Sequence, residues 1–541
     1  MPARRWLAGP RRPWVVARRA SQSACLLLFV WVLWSTTYPL AGAVPPRVLF
    51  LLDPLLVGTT ALAGRVSVPG WEWAAALLGA TLLLGRFFCG WMCPLGTCGD
   101  LTGRLRGTPR PSRVRLVKYG VLAGVVVAAA FRLQVVWLVD PIVIAARFVS
   151  LNLIPGVVRS FDAVMVMVIT KFGLYGAVYD AYRSLKTGAL GVNAYLFVHS
   201  PVILVVFLAI TGATLWSRRV WCRALCPLGA MYALTARFAR LRRVVTECVD
   251  CEVCRSHCRM AAIAGTETYD PAECILCLDC VYDCPVGGTT FSFRRPAAVP
   301  ALPSGSGKGG ALTRGEFLML AGGTVAALVP GPVAAAARAA SSSSPRHPAP
   351  PPMPVATAPI RPPGALAEAQ FMDRCIRCGN CMKVCLTNGL FPAVAESGWR
   401  GVWTPRMVPE VGYCEYGCNQ CGQVCPVGAI ADLPLGRKRK AVMGMAWFDH
   451  GVCLPWKKDQ SCLVCEEHCP VPGKAIKLET VRVKGVTLKR PRVDPELCIG
   501  CGICTYKCPV RPARGVRVFA VQDVARVTPR ALRRGPLQAV V

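Results

Sequence analysis

Over its first 240 residues the chain alternates long apolar runs with short basic segments; beyond that it turns polar and is punctuated by cysteines. Apolar runs at about 22–43, 71–88, 117–138 and 195–216 are each close to the length needed to cross a hydrocarbon core of about 30 Å. They predict four helical crossings. Residues 46–66 are also apolar, but Asp53–Pro54 interrupts them, and the gap to the next run is too short for two more crossings. That stretch is expected at the outer face, as a re-entrant segment. The stretch 161–180 carries Asp162, Lys171 and Asp180. It reads as an interfacial helix or as two further crossings, and hydropathy leaves both open.

The polar positions orient this pattern. Arg4, Arg5, Arg11, Arg12, Arg18 and Arg19 precede the first run with no acid among them. The segment 89–118 holds Arg104, Arg106, Arg110, Arg113, Arg115 and Lys118 against Asp100, and seven basic residues follow the fourth run by position 243. Basic flanks mark the cytoplasmic side, so both ends of a four-crossing scheme lie inside. No small-residue cleavage site follows the first run, which therefore reads as an anchor.

The expected organisation is a transmembrane domain over 1–243, a cysteine-rich module over 244–295 and a linker over 296–367. A second cysteine-rich module covers 368–521, and a basic tail 522–541. In the linker, a Gly/Ser/Pro loop precedes the segment 313–329 with its apolar run 317–329, and 341–363 hold four serines and nine prolines. That composition makes an extended spacer and no core. The fold class expected is an α-helical membrane domain plus α+β ferredoxin-like modules, one with two clusters and one with four.

Composition sharpens the picture. At 541 residues the chain exceeds one ordinary core. Its net charge of +34 would suit nucleic acid or anionic lipid. Because the arginines crowd the ends of apolar runs, the lipid bilayer is the expected partner and nucleic acid is not. Thirty cysteines allow disulfides, zinc or iron–sulfur clusters. Most stand in tight groups of four, unlike the scattered cysteines of short secreted disulfide scaffolds or the two separated pairs of zinc sites. The haem signature C-x-x-C-H is absent.

A cubane cluster needs four thiolates, three from one C-x-x-C-x-x-C loop and a fourth, often before proline, from the partner motif. The first module holds this pattern twice. The expected sets are Cys248, Cys251, Cys254 with Cys284, and Cys274, Cys277, Cys280 with Cys258. The second module holds four motifs: Cys375, Cys378, Cys381, Cys385; Cys414, Cys418, Cys421, Cys425; Cys453, Cys462, Cys465, Cys469; and Cys498, Cys501, Cys504, Cys508. These 24 cysteines predict six [4Fe–4S] clusters. No catalytic dyad, flavin loop or phosphate cradle accompanies them. By similarity to four-cluster electron-transfer subunits with stretched middle motifs, the outer motifs would pair together and the inner motifs together. Cys508 would then join the first triple and Cys385 the last, while consecutive pairing stays open.

Two further segments, Gly85-Arg86-Phe87-Phe88-Cys89-Gly90-Trp91-Met92-Cys93-Pro94-Leu95-Gly96 and Arg219-Val220-Trp221-Cys222-Arg223-Ala224-Leu225-Cys226-Pro227-Leu228-Gly229, share C-x-x-x-C-P-L-G. They form a pseudo-symmetric pair at cytoplasmic helix ends. Cys89, Cys93, Cys222 and Cys226 are either structural thiols closing those ends or a metal, disulfide or redox site. Cys25 and Cys98 read as packing residues.

These segments followed by a two-cluster module resemble the NapH and NosR type of membrane ferredoxin over about 20–295. The four-motif module resembles the NapG/MauM ferredoxins over about 313–520. The chain thus looks like a NapH-type protein fused to a NapG-type protein, without the flavin-bearing outer domain of NosR-type proteins. The resemblance implies a quinol dehydrogenase component, mainly an electron carrier, that feeds a periplasmic redox enzyme. MauM-type relatives instead imply a role in maturing a periplasmic amine dehydrogenase. The quinone pool and a redox partner protein are the partners implied. Quinol oxidation needs a proton acceptor, for which Asp53, Asp140 and His199 are candidates; the Asp–Pro pairs also suit turn starts.

Thr313-Arg314-Gly315-Glu316-Phe317-Leu318 resembles a twin-arginine export motif with one arginine replaced. The expected location is the bacterial inner membrane, with the first module cytoplasmic and the second periplasmic, and with Ala334–Ala340 able to hold a cleavage site. No identified cofactor would then bridge the two sides.

Overall fold

The computed structural model describes residues 13–40, 42, 44–106, 113–190, 197, 200–265, 268–293, 353–394, 396–483 and 485–527. The export-motif segment, His199 and residues 528–541 lie outside the described residues. The chain forms two compact units: one from Met1–Trp34, Pro46–Val149 and Pro201–Val329, the other from Ser35–Pro45, Ser150–Ser200 and Pro330–Val541.

The first unit is a helical cluster carrying the first cysteine-rich module. Its helices are Pro13–Trp34, Pro54–Gly64, Trp71–Leu84, Pro94–Arg106, Val117–Ala130, Ser200–Trp216 and Pro227–Ala236, with Pro141–Phe148 beginning another. Several are apolar on every side, as helices of a large core or a membrane are. Leu27, Trp31, Val205 and Leu208 are left exposed. The run expected at 22–43 is helical over Pro13–Trp34. It starts earlier because Arg18 is buried beside Asp279, at 3.3 Å, so part of the basic flank belongs to the helix. The run expected to 138 stops at Ala130, and Arg132 turns the chain with φ +59°. The interrupted stretch 46–66 makes a short turn at Val48–Leu51 and a helix at Pro54–Gly64.

The first cysteine-rich module is closed by antiparallel strands β1 (Leu241–Val245) and β2 (Thr289–Phe293), with Leu241 opposite Phe293. It rests on the helices through backbone acceptors. Trp91 Nε1 donates to Leu276 O at 3.0 Å, and Arg115 Nη2 to Ala261 O at 2.6 Å. A Cβ at Gly90 would stand 2.1 Å from Ile275 O; only glycine allows that approach.

The second unit is built on the four-motif module. Strands β3 (Leu390–Pro392) and β4 (Pro405–Met407) pair within its first half. In the second half, β5 (Gly444–Phe448) pairs with β8 (Val516–Ala520) across the third and fourth motifs, and β6 (Ile476–Val483) and β7 (Val486–Val493) form a hairpin between them. Val521–Val527 is helical, and Asp523 accepts from Thr357 and Ala358. Residues 522–527, expected in the tail, are therefore helical and tied to the second unit. Part of the apolar region belongs here too. Pro141–Phe172 is one helix of 32 residues with a π-turn at Val149–Leu153. Asp162 is not a bare charge, since Lys186 meets it at 2.7 Å. By length and composition, Pro13–Trp34 and Pro141–Phe172 are able to cross a membrane. Lys383 Nζ donates to Thr36 O at 2.7 Å, and a Cβ at Gly379 (φ +89°) would meet the Leu151 side chain at 3.0 Å.

Candidate metal centres

The third cysteine of every triple sits on a single helical turn: Cys254, Cys280, Cys381, Cys421, Cys465 and Cys504. In four motifs the second cysteine is flanked by left-handed residues on both sides. These are Asp250 and Glu252, Leu276 and Leu278, Arg377 and Gly379, and Gly500 and Gly502. For non-glycine residues that conformation costs on the order of 1–3 kcal/mol and persists where the surroundings demand it. Here it reverses the loop so that its thiols face inward. The two stretched motifs do without it at these positions.

Three of the resulting spaces are lined by three loop cysteines and one remote cysteine. One has Cys274, Cys277, Cys280 with Cys258. Another has Cys375, Cys378, Cys381 with Cys425, and a third Cys414, Cys418, Cys421 with Cys385. Cys465 neighbours Cys453, Cys462 and Cys508, while Cys501 neighbours Cys498 and Cys469. Cys284 meets Thr289, to which Arg243 also donates, and Arg243 reaches Cys254 Sγ at 3.6 Å. The outer-with-outer pairing expected for the second module is thus corrected to consecutive pairing. Strands β5 and β8 fold the third and fourth motifs onto each other, which keeps Cys508 away from the first triple. The two pairs meet where Cys414 N donates to Cys501 O at 2.7 Å, giving the motifs the spatial order first, second, fourth, third.

The thiols line these spaces in sets of four, three from one loop and one from its partner motif, which fits a cubane. Burial pushes the Cys274, Cys453 and Cys501 thiols up to about 12 and Cys414 to about 11. Iron binding must therefore displace protons.

The two C-x-x-x-C-P segments lie together in the first unit. Cys93 and Cys226 precede the helices Pro94–Arg106 and Pro227–Ala236, and their sulfurs accept from Gly96 N (3.4 Å) and Gly229 N (3.2 Å). Arg86 and Arg219, whose roles the sequence did not announce, are buried beside them. Arg86 pairs with Glu273 at 3.1 Å, and Lys118 shares that carboxylate. Arg219 grips Asp100 through two 2.7 Å bonds, and Arg259 reaches it at 3.3 Å. Their only early signal was position, since an arginine stands at the same place ahead of each copy. Cys25 and Cys98 are half-buried.

Asp53 and Asp140 come together, fully buried. Each caps a helix through Oδ1, Asp53 to Leu55 and Leu56, Asp140 to Ile142 and Val143. The two carboxyl groups lie within hydrogen-bonding range of each other, and neither Oδ2 has a donor among the described residues. Tyr232, missed in the sequence, is buried nearby with an unpartnered hydroxyl and neighbours Asp53, Asp140, Cys89 and Cys93.

Burial would raise the Glu273 and Asp100 carboxyls, but Arg86 and Lys118 outweigh it at the first, and Arg219 and Arg259 at the second. Both carboxyls stay below the usual range. A depressed folded pKa contributes stability that is present above the ordinary carboxylate pKa of about 4 and is lost as pH falls through the folded value. Protection against hydrogen exchange over residues 270–280, corrected for the intrinsic pH dependence of amide exchange, is expected to be high near neutrality and to fall below a pH of about 4. Protection that does not change with pH would contradict the ion-pair account.

A 4Fe-4S binding domain model matches residues 73–112, 200–244 and 421–442, a 4Fe-4S dicluster domain 374–429 and a further 4Fe-4S binding domain 491–512. The dicluster match spans the first two motifs of the second module, the pair that the geometry joins. The chain is 36% identical over 174 residues to the methylamine utilization ferredoxin-type protein MauM of Methylobacillus flagellatus, covering 31% of this chain and 70% of the relative. It is 33% identical over 184 residues to the ferredoxin-type protein NapG of Escherichia coli, covering 33% and 74%. The putative electron transport protein YccM of Escherichia coli is 29% identical over 237 residues, covering 41% and 56%. No solved structure matches. With about three-quarters of such relatives covered at about one-third identity, and thiol-lined spaces suited to cubanes, the chain belongs to the NapG and MauM family of ferredoxin-type iron–sulfur proteins.

Proposed function

We propose that this chain is a membrane-bound electron carrier that takes electrons from quinol through six [4Fe–4S] clusters to a periplasmic redox enzyme. The observation that carries the reading is the consecutive pairing, which gives each of the four triples in the second module a fourth cysteine and joins the two pairs at Cys414 and Cys501. When bound, the clusters supply one-electron carriers; the chain's part is to hold their thiolates and to handle protons. The 24 motif cysteines are the ligands, with the four sets of the second module as paired above. Asp53 and Asp140 form the proton acceptor for a quinol bound against the helices. Two carboxyl groups in contact share a proton, and their free Oδ2 atoms and the Tyr232 hydroxyl offer the next stations.

The second module is assigned to the periplasmic side. The support is the basic flank, which puts the start of Pro13–Trp34 inside, together with the resemblance of Thr313–Leu318, ahead of the second module, to an export motif. In spheroplasts, protease is expected to cut within 368–521. Complete protection there, with cleavage after lysis, would reject the assignment.

The similarity to MauM favours a second reading, in which the chain supplies electrons during maturation of a periplasmic enzyme. Rapid, inhibitor-sensitive reduction of the clusters by a quinol analogue in membranes supports the first reading. Slow reduction, with loss of a mature partner enzyme on deletion, supports the second.

A further inference from the structure

The two C-x-x-x-C-P segments match position for position from arginine to glycine. Arg86, Cys89, Cys93, Pro94, Leu95 and Gly96 correspond to Arg219, Cys222, Cys226, Pro227, Leu228 and Gly229. Each arginine reaches across to the other copy. Arg219 Nη1 donates to Cys89 O at 2.7 Å, and Arg86 Nη2 lies 2.9 Å from where a Cβ on Gly229 would stand. The four thiols are electrostatic neighbours: Cys93 of Cys89 and Cys222, and Cys226 of Cys222, Cys89 and Cys93. Cys89, Cys93 and Cys226 are buried and Cys222 is half-buried.

Burial opposes negative charge at this point, and buried cations and helix N-termini work against that penalty. Cys93 and Cys226 stand at the N-termini of helices of 13 and 10 residues, where aligned peptide dipoles and free N–H groups stabilise a thiolate. Glu273 serves both Arg86 and Lys118; Asp100 serves Arg219 and Arg259, and Asp279 serves Arg259 and Arg18. Each of these two networks therefore keeps one net positive charge. Arg86 is fully buried, and its Nε and Nη2 have no partner among the described residues. Glu273 offsets its charge through Nη1, but buried donors left without an acceptor are costly and call for a further one.

We infer that Cys89, Cys93, Cys222 and Cys226 together hold one iron–sulfur cluster, shared between the two segments and additional to those of the ferredoxin modules. A cluster on four thiolates is a dianion, which balances the two networks. The 4Fe-4S binding domain model matches the two segments as separate stretches, 73–112 and 200–244, whereas the geometry joins them. Tyr232 has both these thiols and the Asp53–Asp140 pair in its vicinity, and the proposed function needs an electron acceptor near the proton acceptor. That placement rests on the proposed function; the cluster itself does not.

The test uses the full chain purified in detergent without oxygen. Iron and acid-labile sulfide are expected to exceed one of each per ferredoxin-motif cysteine. Cys93→Ser and Cys226→Ser, one from each segment, are each expected to lower the iron by the same amount and to remove the same Mössbauer component, leaving the ferredoxin components in place. Cys98→Ser should change neither. In the unsubstituted protein, alkylation should spare all four thiols until iron is chelated. Unchanged iron in both variants, disulfides at these cysteines, or free alkylation of the native protein would overturn the site while leaving the ferredoxin clusters standing. Absence of the ferredoxin components would instead strike the proposed function.

Discussion

Asp53→Asn is expected to slow the reduction of the clusters by a quinol analogue by about 10²- to 10⁴-fold, the usual contribution of a positioned general base. Dithionite should still reduce them fully. The substitution is conservative where it needs to be. The introduced amide keeps an oxygen to accept from Leu55 and Leu56, and asparagine caps helices as well as aspartate. What the change removes is the titratable carboxyl that the proposed function places beside Asp140. Asp140→Asn should act the same way, and the double variant should be little worse than either single one, because the two groups work as one unit. An unimpaired quinol rate in both single variants would assign the pair to helix capping alone.

Cys425→Ser is expected to alter the same cluster as Cys378→Ser, although the two cysteines belong to different motifs, and Cys508→Ser the same cluster as Cys465→Ser. Each change removes one thiolate from a buried set, so the affected centre should be lost or converted, with its EPR signal gone or shifted. Outer-with-outer pairing makes a different forecast: Cys508→Ser would then disturb the Cys375 triple. Redox titration of the variants followed by EPR separates the two. Shared loss between Cys508 and Cys378 would contradict the geometry.

The triples were legible in the sequence because their chemistry is local: three cysteines at this spacing reach one cluster whatever surrounds them. The remote fourth ligand in the second module was not, because it depends on which strands pair across long stretches. Gly444 meets Ala520 and Phe448 meets Val516, and no spacing announces that. The charged residues of the helical unit were partly legible for a related reason. Arg18 and Arg219 count among the basic flanks, and they and Arg86 are also each buried against a carboxylate. Two of the partners, Asp279 and Glu273, lie in the first cysteine-rich module, and hydropathy treats each segment alone. The Asp–Pro pairs were half legible: turn chemistry predicted the caps, but only the fold brings Asp53 to Asp140. Tyr232 carried no sequence signal, since its significance lies in its neighbours.

The central claim is that bunched thiolates hold cubane iron, and composition analysis of the anaerobically purified full chain tests it most directly. The account predicts a brown protein with equal iron and acid-labile sulfide, at least one of each per motif cysteine, and EPR signals of reduced [4Fe–4S] centres. A colourless protein containing zinc, or no metal, and no labile sulfide would contradict it.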